Sequence, residues 1–99
     1  MTDDNEEQRL AALARANAMR HARAELKRQI ADGTVFLAEL LLAPPDPALG
    51  CSLGVLVRSQ RGWGRQKTAA LLRRIDIADG KTIGDLTPRQ RAVAADQLR

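Results

Sequence analysis

The sequence predicts an all-α protein of about five helices. Ala and Leu supply most of an apolar share of 44%, with one Phe, one Trp and no Tyr. Residues 4–32 contain neither Gly nor Pro, and in the rest of the chain these residues separate short apolar segments. Ala and Leu favour helices, whereas aromatic and β-branched residues favour strands. Because 99 residues leave room for one modest core, we expect a single domain spanning 1–99.

The first helix is predicted over about residues 4–32, with Gly33 as its natural stop. Leu10 and Leu13 lie nearly opposite the apolar face of its second half. That face comprises Met19, Ala22, Leu26 and Ile30. We therefore expect residues 18–98 to form the body and residues 1–17 to fray or project from it.

The second and third helices are predicted from apolar segments. Thr34 can cap a second helix that runs to about Ala43, is apolar nearly all round, and ends at the "APPDP" loop. "SLGVLVRSQ", residues 52–60, is interpreted as the third helix because an isolated strand would have no partner. The β-branched Val55 and Val57 weigh against this interpretation.

The fourth and fifth helices flank the glycine-containing loop "ADGKTIGD". The fourth helix, residues 64–75, is predicted to face the core with a stripe formed by Ala69, Leu72 and Ile75. The fifth helix is predicted to run to about Leu98. Its start has Thr87 as N-cap, Pro88 at the first helical position and Gln90 to complete a capping box.

The charge balance favours a polyanionic partner such as nucleic acid. Sixteen Lys and Arg against twelve Asp and Glu give a net charge of +4. Acids concentrate in the opening "MTDDNEE", so the remainder of the chain is more basic than the total suggests. Solubility alone also explains a net charge, and both explanations stay open here.

Metal sites, cofactors and membrane insertion are not expected. Cys51 is the only cysteine and His21 the only histidine, so neither an internal disulfide nor a zinc site has enough ligands. The apolar segment 35–43 is too short to span a bilayer and contains Glu39. Acids rather than a secretory signal follow Met1, which favours a reducing cytoplasm.

A candidate phosphate site lies in "RGWGRQKTAALL", residues 61–72. Gly62 and Gly64 allow a sharp turn, after which the first-turn amides of a helix and its dipole attract anions. The basic residues around the turn are Arg61, Arg65 and Lys67. Trp63, between the glycines, is interpreted as a core anchor of the turn or as a wedge between bases. The alternative is an ordinary glycine-rich connection with solvated charges.

A second basic feature lies on the first helix, and a P-loop is the other interpretation of the turn. The first helix carries a basic stripe of Arg20, Arg23 and Lys27, which fall within about 60° of one another. The stripe is interpreted either as a second phosphate-contacting surface or as a solvated face. The segment "GRQKT" is not a P-loop, because Gln66 stands where that motif requires glycine.

Three stretches resemble the actinobacterial integration host factor family, over roughly residues 18–98. They are "RHARAELK", "RGWGRQKTAALL" and "IADGKTIGDLTPRQR". Trp63 stands where the family pattern has Val. The loop of the third stretch keeps only Lys81 where the family carries several arginines.

The resemblance implies a long N-terminal helix packed on a helix-two-turn-helix DNA-binding core. It also implies a nucleoid-associated, cytoplasmic monomer that binds duplex DNA with little sequence preference, bends or compacts it, and assists site-specific recombination by an integrase. No enzyme activity is implied. A ribosomal-type RNA-binding assembly protein and a protein-interaction adaptor are the alternatives. The DNA-binding residues it implies are Arg61, Gly62, Trp63, Gly64, Arg65, Lys67, Arg20, Arg23, Lys27 and Lys81.

Overall fold

The protein is described by a computed structural model over residues 4–99, where it forms six α-helices and one 3-10 turn. The helices are α1 (Asp4–Asp32), α2 (Leu37–Leu42), α3 (Asp46–Leu49), α4 (Leu53–Ser59), α5 (Arg65–Ile75) and α6 (Pro88–Leu98), and the 3-10 turn is Ile83–Asp85. Over these residues an isolated bridge between Ser52 and Thr82 is the only strand-like pairing. The prediction of an all-α fold is confirmed.

The two halves of α1 have different surroundings. Residues 4–18 are exposed, including Leu10 and Leu13, whereas Leu26 and Ile30 are buried. The molecule measures 58 × 27 × 23 Å, and its radius of gyration of 16.0 Å exceeds the roughly 13 Å of a compact domain of this length. Over the described residues 4–18, α1 is therefore exposed and lies outside the core.

The core lies between the second half of α1 and the five shorter helices. α1 packs against α3 and α4, α2 packs against α6, and α5 contacts both α4 and α6. The buried apolar side chains form one cluster: Leu26, Ile30, Leu37, Leu40, Leu41, Ala48, Cys51, Leu53, Leu56, Val57, Leu71, Leu72, Ile77, Ile83, Leu86, Ala94 and Ala95.

The predicted start of the second helix was wrong. α2 begins after Phe36 rather than after Thr34. The Thr34 N–H donates to the Asp32 side chain at 2.9 Å, and Gly33 has φ 83°. The segment 33–35 therefore terminates α1 and is not available to cap the next helix.

The proline-rich segment after α2 was predicted as a loop, but it contains the short helix α3. Pro45 is the N-cap, and a second proline, Pro47, lies in the first turn, where its missing N–H is not needed. Ala48 is fully buried on this turn. Between residues 4 and 99 there are therefore six helices where about five were expected, and the "ADGKTIGD" loop ends in the 3-10 turn.

The predicted core stripe of α5 was partly wrong. Thr68, Leu71 and Leu72 are buried, whereas Ala69 and Ile75 are only partly buried. A strict spacing of three drifts off the core face, because the helix repeats every 3.6 residues and the buried face follows i, i+3, i+4.

The predicted capping box of α6 is confirmed, and α4 has a serine cap that the sequence analysis did not predict. The Val55 N–H donates to the Ser52 hydroxyl at 3.3 Å. Thr87 and Gln90 form the reciprocal capping box, with hydrogen bonds of 3.1 and 2.9 Å.

Candidate nucleic-acid interface

The turn between α4 and α5 is closed by a backbone hydrogen bond. The Trp63 N–H donates to the Gln60 carbonyl at 3.1 Å, and Gly62 lies in the left-handed region at φ 84°. A side chain at Gly62 would be strained there. The prediction of a sharp glycine-dependent turn agrees with the structure at this position.

Gly64 does not need glycine for its backbone conformation. Its φ of −85° and ψ of −176° are extended, and an added Cβ would meet nothing within 4 Å. Our expectation that both glycines serve the turn was therefore wrong for Gly64. What glycine provides here is open space in front of the first turn of α5.

The first turn of α5 carries no side-chain cap. Gly64 is its N-cap residue, and no acidic side chain lies in the first turn. Arg65 and Lys67 are exposed at the same end. The amides of residues 65–67 cannot form hydrogen bonds within the helix, and the helix dipole adds partial positive charge. This end of α5 has the composition and geometry of an anion site.

Trp63 lies against the core and beneath Lys67. The indole is partly buried and packs on the core cluster. The Lys67 Nζ lies 4.2 Å from the centroid of the ring, within the range of a cation–π contact. Of our two interpretations of Trp63, the core anchor is the one that the packing supports.

Arg61 lies at a cleft between the α4–α5 turn and the C-terminal end of α1. It lines this cleft of about 230 Å³ together with Gln60, Phe36 and the C-terminal end of α1. Ala31, in the wall of this cleft, lies one helical turn after Lys27. The cleft therefore brings the hairpin close to the end of the basic stripe on α1.

The basic stripe on α1 is not uniform. Arg20 and Lys27 are exposed, but Arg23 is partly buried where α1 meets α3. A Cβ on Gly50 would collide with the Arg23 guanidinium, and Arg23 Nε is buried without a hydrogen-bond partner among the described residues. Arg23 therefore has a packing role, which the helical projection alone did not indicate.

Lys81 is held by α6. Its Nζ donates to the Gln90 Oε1 at 3.3 Å, and the residue is partly buried. Gln90 also accepts a hydrogen bond from the Thr87 N–H. The structure thus gives Lys81 a structural contact, and its predicted DNA contact stays a prediction.

An ion pair that the sequence does not reveal links α4 to the loop after α5. Arg58 on α4 forms two contacts with the Asp79 carboxylate, of 2.5 and 3.2 Å. The hydrogen bond from Arg58 lowers the pKa of Asp79, and the same contact raises the pKa of Arg58. The Gly54 N–H donates to the Asp79 carbonyl at 3.0 Å. Twenty-one residues separate Arg58 from Asp79, and no short-range pattern links residues so far apart.

Comparison with known proteins gives the family. The integration host factors of Mycolicibacterium smegmatis and Mycobacterium tuberculosis are each 35% identical to the chain over 95 residues, which is 94% of this chain and 90% of each relative. The chain belongs to the integration host factor family. This agrees with the resemblance in the three sequence stretches, although no protein-family model matches the chain.

A solved structure extends the comparison to the fold of the family. The structure of sIHF bound to an 8-bp palindromic DNA matches the chain with a TM-score of 0.76 at 22% identity. The match covers 87% of this chain and 99% of that one. It shows that most of the chain has the fold of that protein.

Two further findings concern the described part of the chain. Between residues 4 and 99, no helix combines the length and the hydropathy needed to cross a membrane. Over the same residues, no group of three or more His, Cys, Asp or Glu side chains could hold a metal ion.

Proposed function

We propose that this protein binds duplex DNA with little sequence preference and bends or compacts it. Family membership supports the general function, and the uncapped first turn of α5 is the observation that carries it for this chain. Exposed Arg65 and Lys67 flank amides that no side chain caps. Such an end matches a DNA phosphate in both charge and hydrogen bonding.

The proposed mechanism begins with a phosphate oxygen that accepts hydrogen bonds from the α5 amides. The open space at Gly64 admits the phosphate, and the left-handed turn at Gly62 fixes the direction of the amides. Arg65 and Lys67 add positive charge beside these amides. Because phosphates are the same at every base pair, contacts of this kind give affinity without sequence preference.

Bending or compaction requires a second contact surface, which we assign to α1. Arg20 and Lys27 are exposed on this helix and, unlike Arg23, are not packed against the body. A duplex that contacts both α1 and the hairpin would follow the protein surface, and two duplexes bound separately would be drawn together. We propose that the protein acts as a monomer on nucleoid DNA in the cytoplasm and assists an integrase. The function involves no chemical step.

A salt titration with duplex DNA and duplex RNA tests the proposal. We expect DNA to bind more tightly and affinity to fall steeply with salt, with a log–log slope near −3.6 if about four phosphates are neutralised. Gel shifts on random-sequence duplexes give both quantities. A preference for RNA would support the ribosomal-type alternative, and no binding to either duplex would support the adaptor alternative.

Charge reversal on α1 tests the second surface. We expect Arg20→Glu/Lys27→Glu to remove compaction of long DNA while weakening short-duplex binding less than Arg65→Glu/Lys67→Glu does. Both double variants change the net charge equally, so each controls for long-range attraction. Equal loss of short-duplex binding would show one continuous surface across the cleft, and full compaction by the α1 variant would show that α1 is a solvated face.

A further inference from the structure

The contact between Trp63 and Lys67 joins the core to the candidate anion site. The indole is held by the core cluster on one side, and the Lys67 ammonium lies over its ring, 4.2 Å from the centroid. Lys67 is the third residue of α5, one residue before the buried Thr68. An otherwise flexible side chain is therefore held at the end of α5 where the first-turn amides are.

A lysine at this position is unfavourable for the helix by itself. The N-terminal end of a helix carries partial positive charge, so a cation there is repelled by the dipole. No acid in the first turn of α5 offsets that repulsion. The negative face of an aromatic ring attracts an ammonium group, and among the described contacts of this lysine the ring of Trp63 supplies that attraction.

We propose that Trp63 is a positioning residue whose ring holds the Lys67 ammonium beside the α5 amides, so that both meet the same phosphate. This inference rests on the proposed function and adds a role for the indole. A lysine usually loses side-chain freedom when it binds a phosphate. Here part of that freedom is lost before binding, so the DNA contact is stronger than charge alone would make it.

The packing of Trp63 distinguishes this role from insertion between bases. An inserted ring must present an edge or a face to the stacked bases. The Trp63 ring is partly buried against the core, and the ammonium covers one of its faces. The ring thus acts on DNA through Lys67 rather than by direct contact.

A double-mutant cycle measures the dependence of Trp63 on Lys67. We expect Trp63→Leu to weaken duplex binding roughly two- to fivefold, which is the range of an exposed cation–π contact, with no change in salt slope. Lys67→Met should reduce the magnitude of the slope by about 0.9, since it removes one phosphate contact. In the Lys67→Met background, Trp63→Leu should have no further effect, because the group it positions is absent.

Two further measurements keep the inference testable if Trp63→Leu folds poorly. Trp63→Phe retains a ring and should keep most of the affinity. In the free protein, NMR should show the Lys67 ε-methylene protons shifted upfield by the ring current, and Trp63→Leu or any variant without a ring should lose that shift. Ordinary methylene shifts in the parent protein would overturn the inference without any DNA measurement.

The outcomes separate this inference from the proposed function. If the parent protein binds DNA and Trp63→Leu weakens binding equally in both backgrounds, the ring acts through the fold or by insertion, and the positioning role is wrong. If Trp63→Leu binds as tightly as the parent, the positioning role is also wrong while the proposed function stands. If the parent protein binds no duplex DNA, the proposed function fails and the inference fails with it.

Discussion

The N-terminal ends of α5 and α6 differ in how their free backbone N–H groups are satisfied. Each helix has eleven residues and begins after an extended N-cap residue. At α6, Thr87 and Gln90 form a complete capping box. At α5, Gly64 provides no cap, and the first turn carries Arg65 and Lys67 against the dipole.

This difference indicates where the protein gives up local stability. A capping box satisfies two backbone donors and fixes the start of the helix. The start of α5 leaves its backbone donors to solvent or to a ligand. The fold is therefore secured at α6, whereas α5 keeps an end that an anion can complete.

Charge reversal at the start of α5 should have the largest effect on DNA binding, and charge reversal at the start of α6 is its control. We expect Arg65→Glu to weaken duplex DNA binding on the order of tenfold at low salt, since it removes a phosphate contact and adds repulsion. Arg89→Glu, at an exposed position in the first turn of α6, is the matched control and should have a smaller effect. Gel shifts at constant salt measure both. Equal losses would mean that total charge, and not the end of α5, determines binding.

A smaller effect is expected from exchanging the capping properties of the two helices. Thr87→Ala should lower the free energy of unfolding by about 1 kcal/mol because it breaks the capping box, with DNA affinity unchanged. Urea denaturation and gel shifts give the two quantities.

The converse substitution is Gly64→Ser, which adds a capping oxygen to α5 in a space where a Cβ meets nothing. We expect it to raise the free energy of unfolding by a few tenths of a kcal/mol, roughly the difference between glycine and serine as caps. DNA binding should weaken, because the hydroxyl occupies an amide that a phosphate would use. If Gly64→Ser binds DNA as well as the parent, the α5 amides are not the phosphate site.

The smallest effect concerns the loop that joins α5 to α6. Arg58 lowers the pKa of Asp79 below its ordinary value of 3.8 in the folded protein. The ion pair therefore contributes stability that is fully present above about pH 4 and is lost as pH falls through the folded pKa. Both side chains are partly exposed, so the contribution is small.

Urea denaturation of Asp79→Asn and the parent at two pH values tests whether the stability from this ion pair decreases as pH falls. The variant should be slightly less stable at pH 7, and the difference should shrink at pH 3, where the Asp79 carboxylate is already largely protonated in the unfolded parent. A difference that is the same at both pH values would mean that the carboxylate charge does not stabilise the loop.

Local signals in the sequence were enough for the helices with clear ends. The Thr87 and Gln90 side chains that cap α6 lie within three residues of the groups they bind, so a short segment contains all the information. The second half of α1 was likewise predicted from the spacing of its apolar residues. The start of α2 was not predicted correctly, because Thr34 could either cap the next helix or end the previous one. In the structure its N–H bonds to Asp32 in the last turn of α1.

The sequence by itself determined the all-α class, the glycine turn before a basic helix and the family resemblance, since composition, spacing and short motifs encode them. Only the tertiary structure decided which basic side chains are available. Arg23 is packed at α3, Lys81 is bound to Gln90, and Lys67 lies over Trp63. The structure also brought Arg58 to Asp79. Helical periodicity gives the direction in which a side chain leaves the axis of its helix. The neighbours of that side chain depend on how helices and loops pack together, and a single segment of sequence does not determine this packing.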